Sequence, residues 1–323
     1  MHRIHILAFA SLLLGLMYFQ NEPVYGTEYP IRTIKLIVPG GVGTEKDIVA
    51  RVISEKLSKI IGQPIIIENS PGALGQIATS TLTQSKPDGY TLLLATSSGA
   101  VILPTLKRRP PFTERNFSPI TLLVKEFHML LVVRRDLSIA SFSELVDYGH
   151  RHPGKLNLAY GGRTGYVNAL VLKNELGVDG MLVSYRSTVD AARAILSGDV
   201  QAAFVYANDI VGNLDRIRPI ACLCTDRSAL MPEVPTLKEQ HVDLDVSGGW
   251  AMLIAPGSTP RPIINILNGS VAVALADQDV IRRLGSIGIH LSGSDPEEAS
   301  HWLAGTRQFW EAMGKKYPAL IED

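Results

Sequence analysis

Cysteine is nearly absent from this 323-residue chain, which holds only Cys222 and Cys224, spaced i, i+2 in "RPIACLCTDRS". That excludes a disulfide framework, and two ligands are too few for a closed zinc site. A disulfide across this spacing would be strained, so the pair reads as two small buried hydrophobes on one face of a strand. Charge of one sign is lacking too: Lys+Arg and Asp+Glu both number 31, with no excess to draw the chain to nucleic acid or anionic lipid. Nucleotide signatures fail as well. Lys46 is followed by Asp47 with no glycine directly before it, so there is no G-x-x-x-x-G-K-[ST], and Lys46 stands where the third glycine of G-x-G-x-x-G belongs. The nucleophile-elbow pattern G-x-S-x-G is also missing, and no histidine is marked out as a catalytic base.

What is present begins with a leader. Residues 1–26 carry Arg3 in a basic n-region, an apolar run from Ile6 to Phe19, and small residues Val24 and Gly26 before Thr27. The run falls short of the ~20 apolar residues that span a bilayer. It reads as a signal peptide cleaved to leave Thr27 at the mature N-terminus, and places the protein in the periplasm. The leader has no cysteine to carry a lipid.

The remainder is long enough for two cores. "IKLIV" is a continuous apolar run suited to a strand buried on both faces. From Asp47 apolar residues recur at helical spacing up to Gly62, and Thr44 followed by Asp47 resembles a capping box with a shortened acid. "PIIIEN", "GQIATSTLTQS" and "DGYTLLLATSSG" complete a βαβαβ unit, which implies a parallel sheet with ligand sites beyond its strand C-termini. A second alternating series runs from "SFSELVDYGHRH" to "RPIACLCT", and the chain turns helical after "LDVSGGWAMLIAP". The economical arrangement is two α/β lobes joined near Phe127–Val133 and Val246–Leu253. Lobe 1 then takes residues 27–129 and 248–323, and lobe 2 takes 130–247.

The stretch "VPGGVGTEKDIVARV" puts three glycines within four positions just before a helix. Such a loop suits a tight turn without a ligand as well as it suits an anion. Ser97 and Ser98 end a buried strand, where hydroxyls hydrogen-bond a ligand or cap the next segment. Arg163 follows a strand in "AYGGRTGYVN", beside Thr164 and Gly165, where its guanidinium could fork onto a carboxylate; the alternative is a solvated loop arginine. Tyr185, Arg186, Ser187 and Thr188 mark a similar strand-to-helix passage, with Ser187 or Thr188 as its cap, and Tyr206 ends the "VQAAFVYA" strand. His150 and His152 lie i, i+2 at a helix end, where shared metal ligation would need i, i+4.

Taken in order, "YPIRTIKLIVP", "IIGQPIIIENSPGALGQIA", "KPDGYTLLLATSSG", "FSPITLLV", "HPGKLNLAYG", "ILSGDVQAAF" and "LIAPGSTP" resemble the periplasmic receptors of tripartite tricarboxylate transporters, the Bug proteins. The likeness runs from Tyr29 to the tail "ALADQDVIRRLGSIGIHLSGSDPEE". It implies a two-lobed type II periplasmic binding protein with two crossover hinge strands, monomeric and without a cofactor. Its carboxylate ligand would be held by backbone N–H groups of Gly40, Gly41 and Gly43, and of Ser97, Ser98 and Gly99, often through water. Asp47 matches the acid that opens the family's first helix. Three departures bear on the ligand: "PGGVGTEK" replaces a "P-P-G-G" run, Arg163 stands among usually small polar residues, and Val205 with Tyr206 replace an acid.

The resemblance implies delivery of a carboxylate to the membrane components of a tripartite transporter. A sensor that presents its closed form to a membrane kinase and a secreted enzyme using the same cleft stay open beside it. The enzyme would need a positioned base or nucleophile that the sequence does not mark.

Overall fold

The computed structural model describes residues 28–244 and 248–321. The leader, Thr27 and the part of the second expected hinge at Val246 lie outside the described residues.

Among the described residues ten strands form two five-stranded sheets. The first has the order β2-β1-β3-β10-β4, built from Ile65–Asn69, Ile34–Val38, Thr91–Thr96, Ala251–Pro256 and Phe117–Val124. β1 pairs parallel with β2 and β3, whereas β10 runs antiparallel between β3 and β4. The second sheet repeats the plan in the order β7-β6-β8-β5-β9, from Leu182–Tyr185, Leu158–Gly161, Ala202–Tyr206, Met129–Arg134 and Ile217–Cys222. β6 is parallel to β7 and β8, and β5 lies antiparallel between β8 and β9. Each sheet therefore has one switch point, between β1 and β3 and between β6 and β8, where successive loops diverge and leave a crevice at the strand C-termini.

Burial explains the strands. Ile34, Leu36, Ile37 and Val38 of β1 are covered on both faces. Helix α1 (Glu45–Ile61) supplies one cover through Val49, Ile53 and Leu57 and ends at Gly62, whose φ of 69° forms the left-handed cap that a Cβ would strain. Each such fully buried aliphatic is worth roughly 1.5–3 kcal/mol. Helices α2 (Gln76–Thr83), α3 (Phe142–Arg151), α4 (Gly162–Leu176) and α5 (Thr188–Ser197) alternate with the strands. Three more, α6 (Arg261–Leu275), α7 (Gln278–Gly285) and α8 (Pro296–Lys316), follow β10 and return to the first sheet.

Two connections join the sheets, residues 125–128 between β4 and β5 and residues 223–250 between β9 and β10. They touch where the Phe127 N–H donates to the Gly249 carbonyl at 2.8 Å. Gly248 is required there, because a Cβ would fall 1.5 Å from the Phe127 oxygen.

Two expectations are corrected. Cys222 and Cys224 are joined as a disulfide, not left as free thiols. The chain leaves β9 after Cys222 and bends at Cys224, which brings their Cα atoms to 5.3 Å, inside the range a disulfide spans. Arg163 belongs to a helix, not a loop, since α4 begins at Gly162.

Candidate functional site

The two switch points face each other across a cleft of about 680 Å³. From the first sheet come the loop after β1 (Gly40, Gly41, Thr44, Glu45, Lys46), the turn at residues 71–75, and Ser97 and Ser98 after β3. From the second come Gly161, Gly162 and Thr164 after β6, residues 184–188 after β7, and Tyr206 at the end of β8. Phe127, Gly249 and Trp250 form the floor at the crossovers.

The glycine loop is held from within. Asp47, 1% exposed, accepts from the Gly43 N–H at 2.9 Å, from Arg51 Nε at 2.9 Å and from Asn69 Nδ2 at 2.9 Å. Burial pushes the Asp47 carboxyl up, but these hydrogen bonds outweigh it and hold it below the usual carboxylate range. Asn69 also donates to the Gly40 carbonyl at 3.0 Å. The expected capping box is not formed: Thr44 Oγ1 donates to the Gly41 carbonyl at 2.8 Å and makes no cap bond, while Asp47 reaches back to Gly43. Gly43, with φ of 82°, does not line the cleft, and its N–H is already engaged by Asp47.

After β3 the chain makes a single π-helical turn, Ser97–Ile102, a form that recurs at functional sites. The Ser97 N–H donates to the Trp250 carbonyl at 3.3 Å and the Gly99 N–H to Thr96 Oγ1 at 3.5 Å. Two of the three backbone donors expected to serve a ligand here are therefore used by the protein. Gly99 instead lets this turn approach Gly75, whose carbonyl carbon would lie 3.1 Å from an added Cβ. Ser98 Oγ lies 3.2 Å from Thr164 Oγ1, the hydroxyl of the opposite lobe.

Arg163 is 6% exposed and turned out of the cleft. Its Nη2 donates to the Leu320 carbonyl at 2.6 Å, and its guanidinium lies 5.1 Å from the Tyr166 ring centre. Placement in the first turn of α4 aims it at the C-terminal segment, so it does not fork onto anything in the cleft. Gly165 likewise faces inward, against Tyr160. The same C-terminal segment meets α4 again through Tyr317 and Lys316, both on Glu175.

Arg186 is the guanidinium that lines the cleft. It is exposed and makes no hydrogen bond or ion pair among the described residues. Ser187 beside it caps α5 by accepting from the Asp190 N–H at 3.1 Å, as its position predicts. Gly161 makes this corner possible, since a Cβ there would fall 2.2 Å from the Ser187 carbonyl carbon. Tyr185 lines the same wall, and the buried Tyr206 hydroxyl donates to the Gly248 carbonyl at 3.0 Å.

Several residues of the site carry no local signature. Lys46 pairs with the buried Glu45 instead of reaching solvent. Across the cleft, Asp209 accepts from the Tyr206 N–H at 3.0 Å. Burial, then the Glu45 charge, push the Asp209 carboxyl up to about 6, against the pull of the Tyr206 and Thr188 hydrogen bonds and of Lys46. Asp209 does not line the cleft; it caps the turn that follows β8, as the Tyr206-x-x-Asp209 spacing allows. Ala73 and Leu74 line the mouth with φ of 43° and 55°, a strained pair for residues other than glycine. Among the described residues no three His, Cys, Asp or Glu side chains are grouped to hold a metal, and no helix is long and apolar enough to cross a membrane.

Comparisons with known proteins agree on one group. The profile of the tripartite tricarboxylate transporter family receptor matches residues 49–317. Protein BugT of Bordetella pertussis is 28% identical over 306 residues, covering 93% of this chain and 94% of BugT. MatC of Rhodopseudomonas palustris with bound malate superposes with a TM-score of 0.77 at 29% identity, covering 91% of this chain and all of that one. Rpa4515 of R. palustris with adipate gives 0.80 at 27% identity, over 89% of this chain and 97% of its own.

Proposed function

The chain belongs to the tripartite tricarboxylate transporter family of receptors, two-lobed solute-binding proteins and not enzymes, and from that premise we propose that it captures a small carboxylate-bearing ligand between its lobes and delivers it to a membrane transporter of that type. The observation that carries the ligand class is Arg186, the cleft's cation without a partner among the described residues. A guanidinium offers two parallel donors that match a carboxylate, and a ligand there completes a charge the protein leaves uncompensated. Malate and adipate in two relatives of the same fold give the size range.

Hydroxyls of Ser97, Ser98 and Thr164, with the Gly40–Gly41 backbone, supply the remaining polar contacts in a cleft whose walls also include Leu74, Phe127, Tyr185 and Trp250. Closure brings the two sets together about the crossovers. Export by a cleaved leader and a periplasmic site of action complete the proposal.

A thermal-shift screen of mono-, di- and tricarboxylates, aromatic acids and acidic amino acids tests it. A ligand at 100 times its Kd stabilises the native state by about 2.7 kcal/mol. The expected result is one carboxylate class that raises Tm in the wild type and is bound about tenfold more weakly by Arg186→Ala. No response to any carboxylate, or an unchanged response in Arg186→Ala, overturns it.

A further inference from the structure

The cleft between the lobes is polar in composition but short of charge. Its lining carries three charged side chains, Glu45, Lys46 and Arg186, one acid against two bases. Glu45 and Lys46 pair with each other, which leaves Arg186 as the lining's one charge without a partner among the described residues. The balance is a single positive charge, and a single carboxylate meets it.

Hydroxyl donors are largely engaged as well. Thr44 Oγ1 donates to the Gly41 carbonyl at 2.8 Å, Ser187 Oγ to Asp190 Oδ2 at 2.9 Å, and the Tyr206 hydroxyl to the Gly248 carbonyl at 3.0 Å. A hydroxyl has one hydrogen, so none of the three can donate to an anion in this arrangement. Ser98 and Thr164 use one of their two hydrogens on each other. A second carboxylate on the ligand would thus enter a closing cleft with no free cation to meet it and with the buried Glu45 carboxylate in the wall. A charge taken out of water without a partner is costly, so a second carboxylate weakens capture.

Beside these groups the cleft leaves apolar surface open. Pro71, Ala73 and Leu74 of the first lobe line it and are exposed, and Tyr185 lines it from the second lobe, half-buried. Leu74 is 40% exposed and holds φ of 55° and ψ of 26°, left-handed backbone that leucine rarely adopts. The turn is fixed in that form: the Gly75 N–H donates to the Gly72 carbonyl at 3.0 Å, and the Gly75 carbonyl accepts from Thr79 Oγ1 at 2.9 Å. Strained backbone of this kind collects at ligand clamps. Here it leaves an aliphatic side chain on the cleft wall, where an apolar ligand body would take it out of water. Resting on the carboxylate reading above, we propose that the ligand is a monocarboxylate, with its one carboxylate on Arg186 and an uncharged, apolar body against Leu74 and Tyr185.

Hexanoate and adipate are the probes, since the two acids share a six-carbon chain and differ in the second carboxylate. Calorimetry on the wild-type protein at neutral pH should show hexanoate bound about tenfold more tightly than adipate. Arg186→Ala should weaken hexanoate about tenfold. Leu74→Asn keeps the fold, because asparagine adopts left-handed backbone more readily than leucine, and should weaken hexanoate about fivefold with no loss of stability in urea unfolding. Adipate bound as tightly as hexanoate, or more tightly, with the loss in Arg186→Ala retained, overturns the inference and leaves the carboxylate reading standing. Hexanoate affinity unchanged in Leu74→Asn also overturns it. If neither acid binds, the inference falls, and the carboxylate reading falls with it only when no other carboxylate raises Tm.

Discussion

Ser98 Oγ and Thr164 Oγ1 stand 3.2 Å apart, one hydroxyl from each lobe, so a side-chain hydrogen bond spans the cleft. Such a bond is worth about 0.5–1.5 kcal/mol net. Ser98→Ala should shift the lobes toward the open form by that amount, and adding Thr164→Val should cost little more, because the partner is already gone. Solution scattering of unliganded protein checks this through a larger radius of gyration for Ser98→Ala. Fully additive effects of the two substitutions would count against a shared bond.

Arg163→Ala should damage stability and spare affinity. The guanidinium is buried and donates to the Leu320 carbonyl, so its loss should lower unfolding free energy by about 1.5–3 kcal/mol. Urea unfolding and calorimetry with a ligand found by the thermal-shift screen separate the two quantities. Weakened binding at unchanged stability would return Arg163 to the cleft.

The glycine loop and its neighbouring ion pair should respond differently. Gly43→Val forces a β-branched residue to φ of 82° and disturbs the bond to Asp47, at a cost of at least 1–3 kcal/mol. Lys46→Ala leaves the buried Glu45 carboxylate without its cation and should destabilise by about 1–3 kcal/mol, with most of that recovered in Lys46→Ala, Glu45→Gln. Failure of the second substitution to rescue the first would show that Lys46 acts independently of Glu45.

Asp209 gives the pH dependence its sign. Its folded-state pKa, raised to about 6 by burial and by Glu45, lies above the 3.8 of an ordinary aspartate. Its contribution is therefore fully present below about 4 and is lost as pH rises through about 6; above that, the folded state carries the cost of a buried charge. Asp209→Asn cannot titrate. The stability difference, wild type minus variant, should fall by up to roughly 3 kcal/mol between pH 4 and pH 7.5 in urea unfolding. A difference that is flat with pH would refute the assignment.

The strands were legible because their signal is local. "IKLIV" had to be covered on both faces and is β1, Gly62 had to stop a helix and has φ of 69°, and Ser187 had to cap α5 and does. Loops facing one another at the strand ends followed from the βαβ order alone, so Gly40, Gly41, Thr44, Ser97, Ser98, Thr164, Tyr185, Arg186, Ser187 and Tyr206 fall in one cleft. Arg163 was misjudged because α4 begins four residues before its apolar periodicity does, and one helical turn is enough to redirect a side chain. The N–H groups of Gly43 and Gly99 are adjacent to the right place but are consumed by Asp47 and Thr96. The approach of Glu45 to Asp209 depends on how the lobes meet, which no stretch of sequence encodes locally.

The C-terminal segment has a kinetic consequence. Leu320 accepts from Arg163, and Tyr317 and Lys316 both engage Glu175, so a stretch that follows the first lobe's last helix is fastened to the outer side of the second lobe's α4. Those bonds do not touch the cleft, but they lie across the motion that opens it. We expect them to act as a latch whose release precedes ligand entry, so that capture measured by stopped flow is slower than diffusion allows. Loosening the latch, for instance with Glu175→Gln, speeds both entry and escape, and alters residence time while every group that contacts the ligand stays in place.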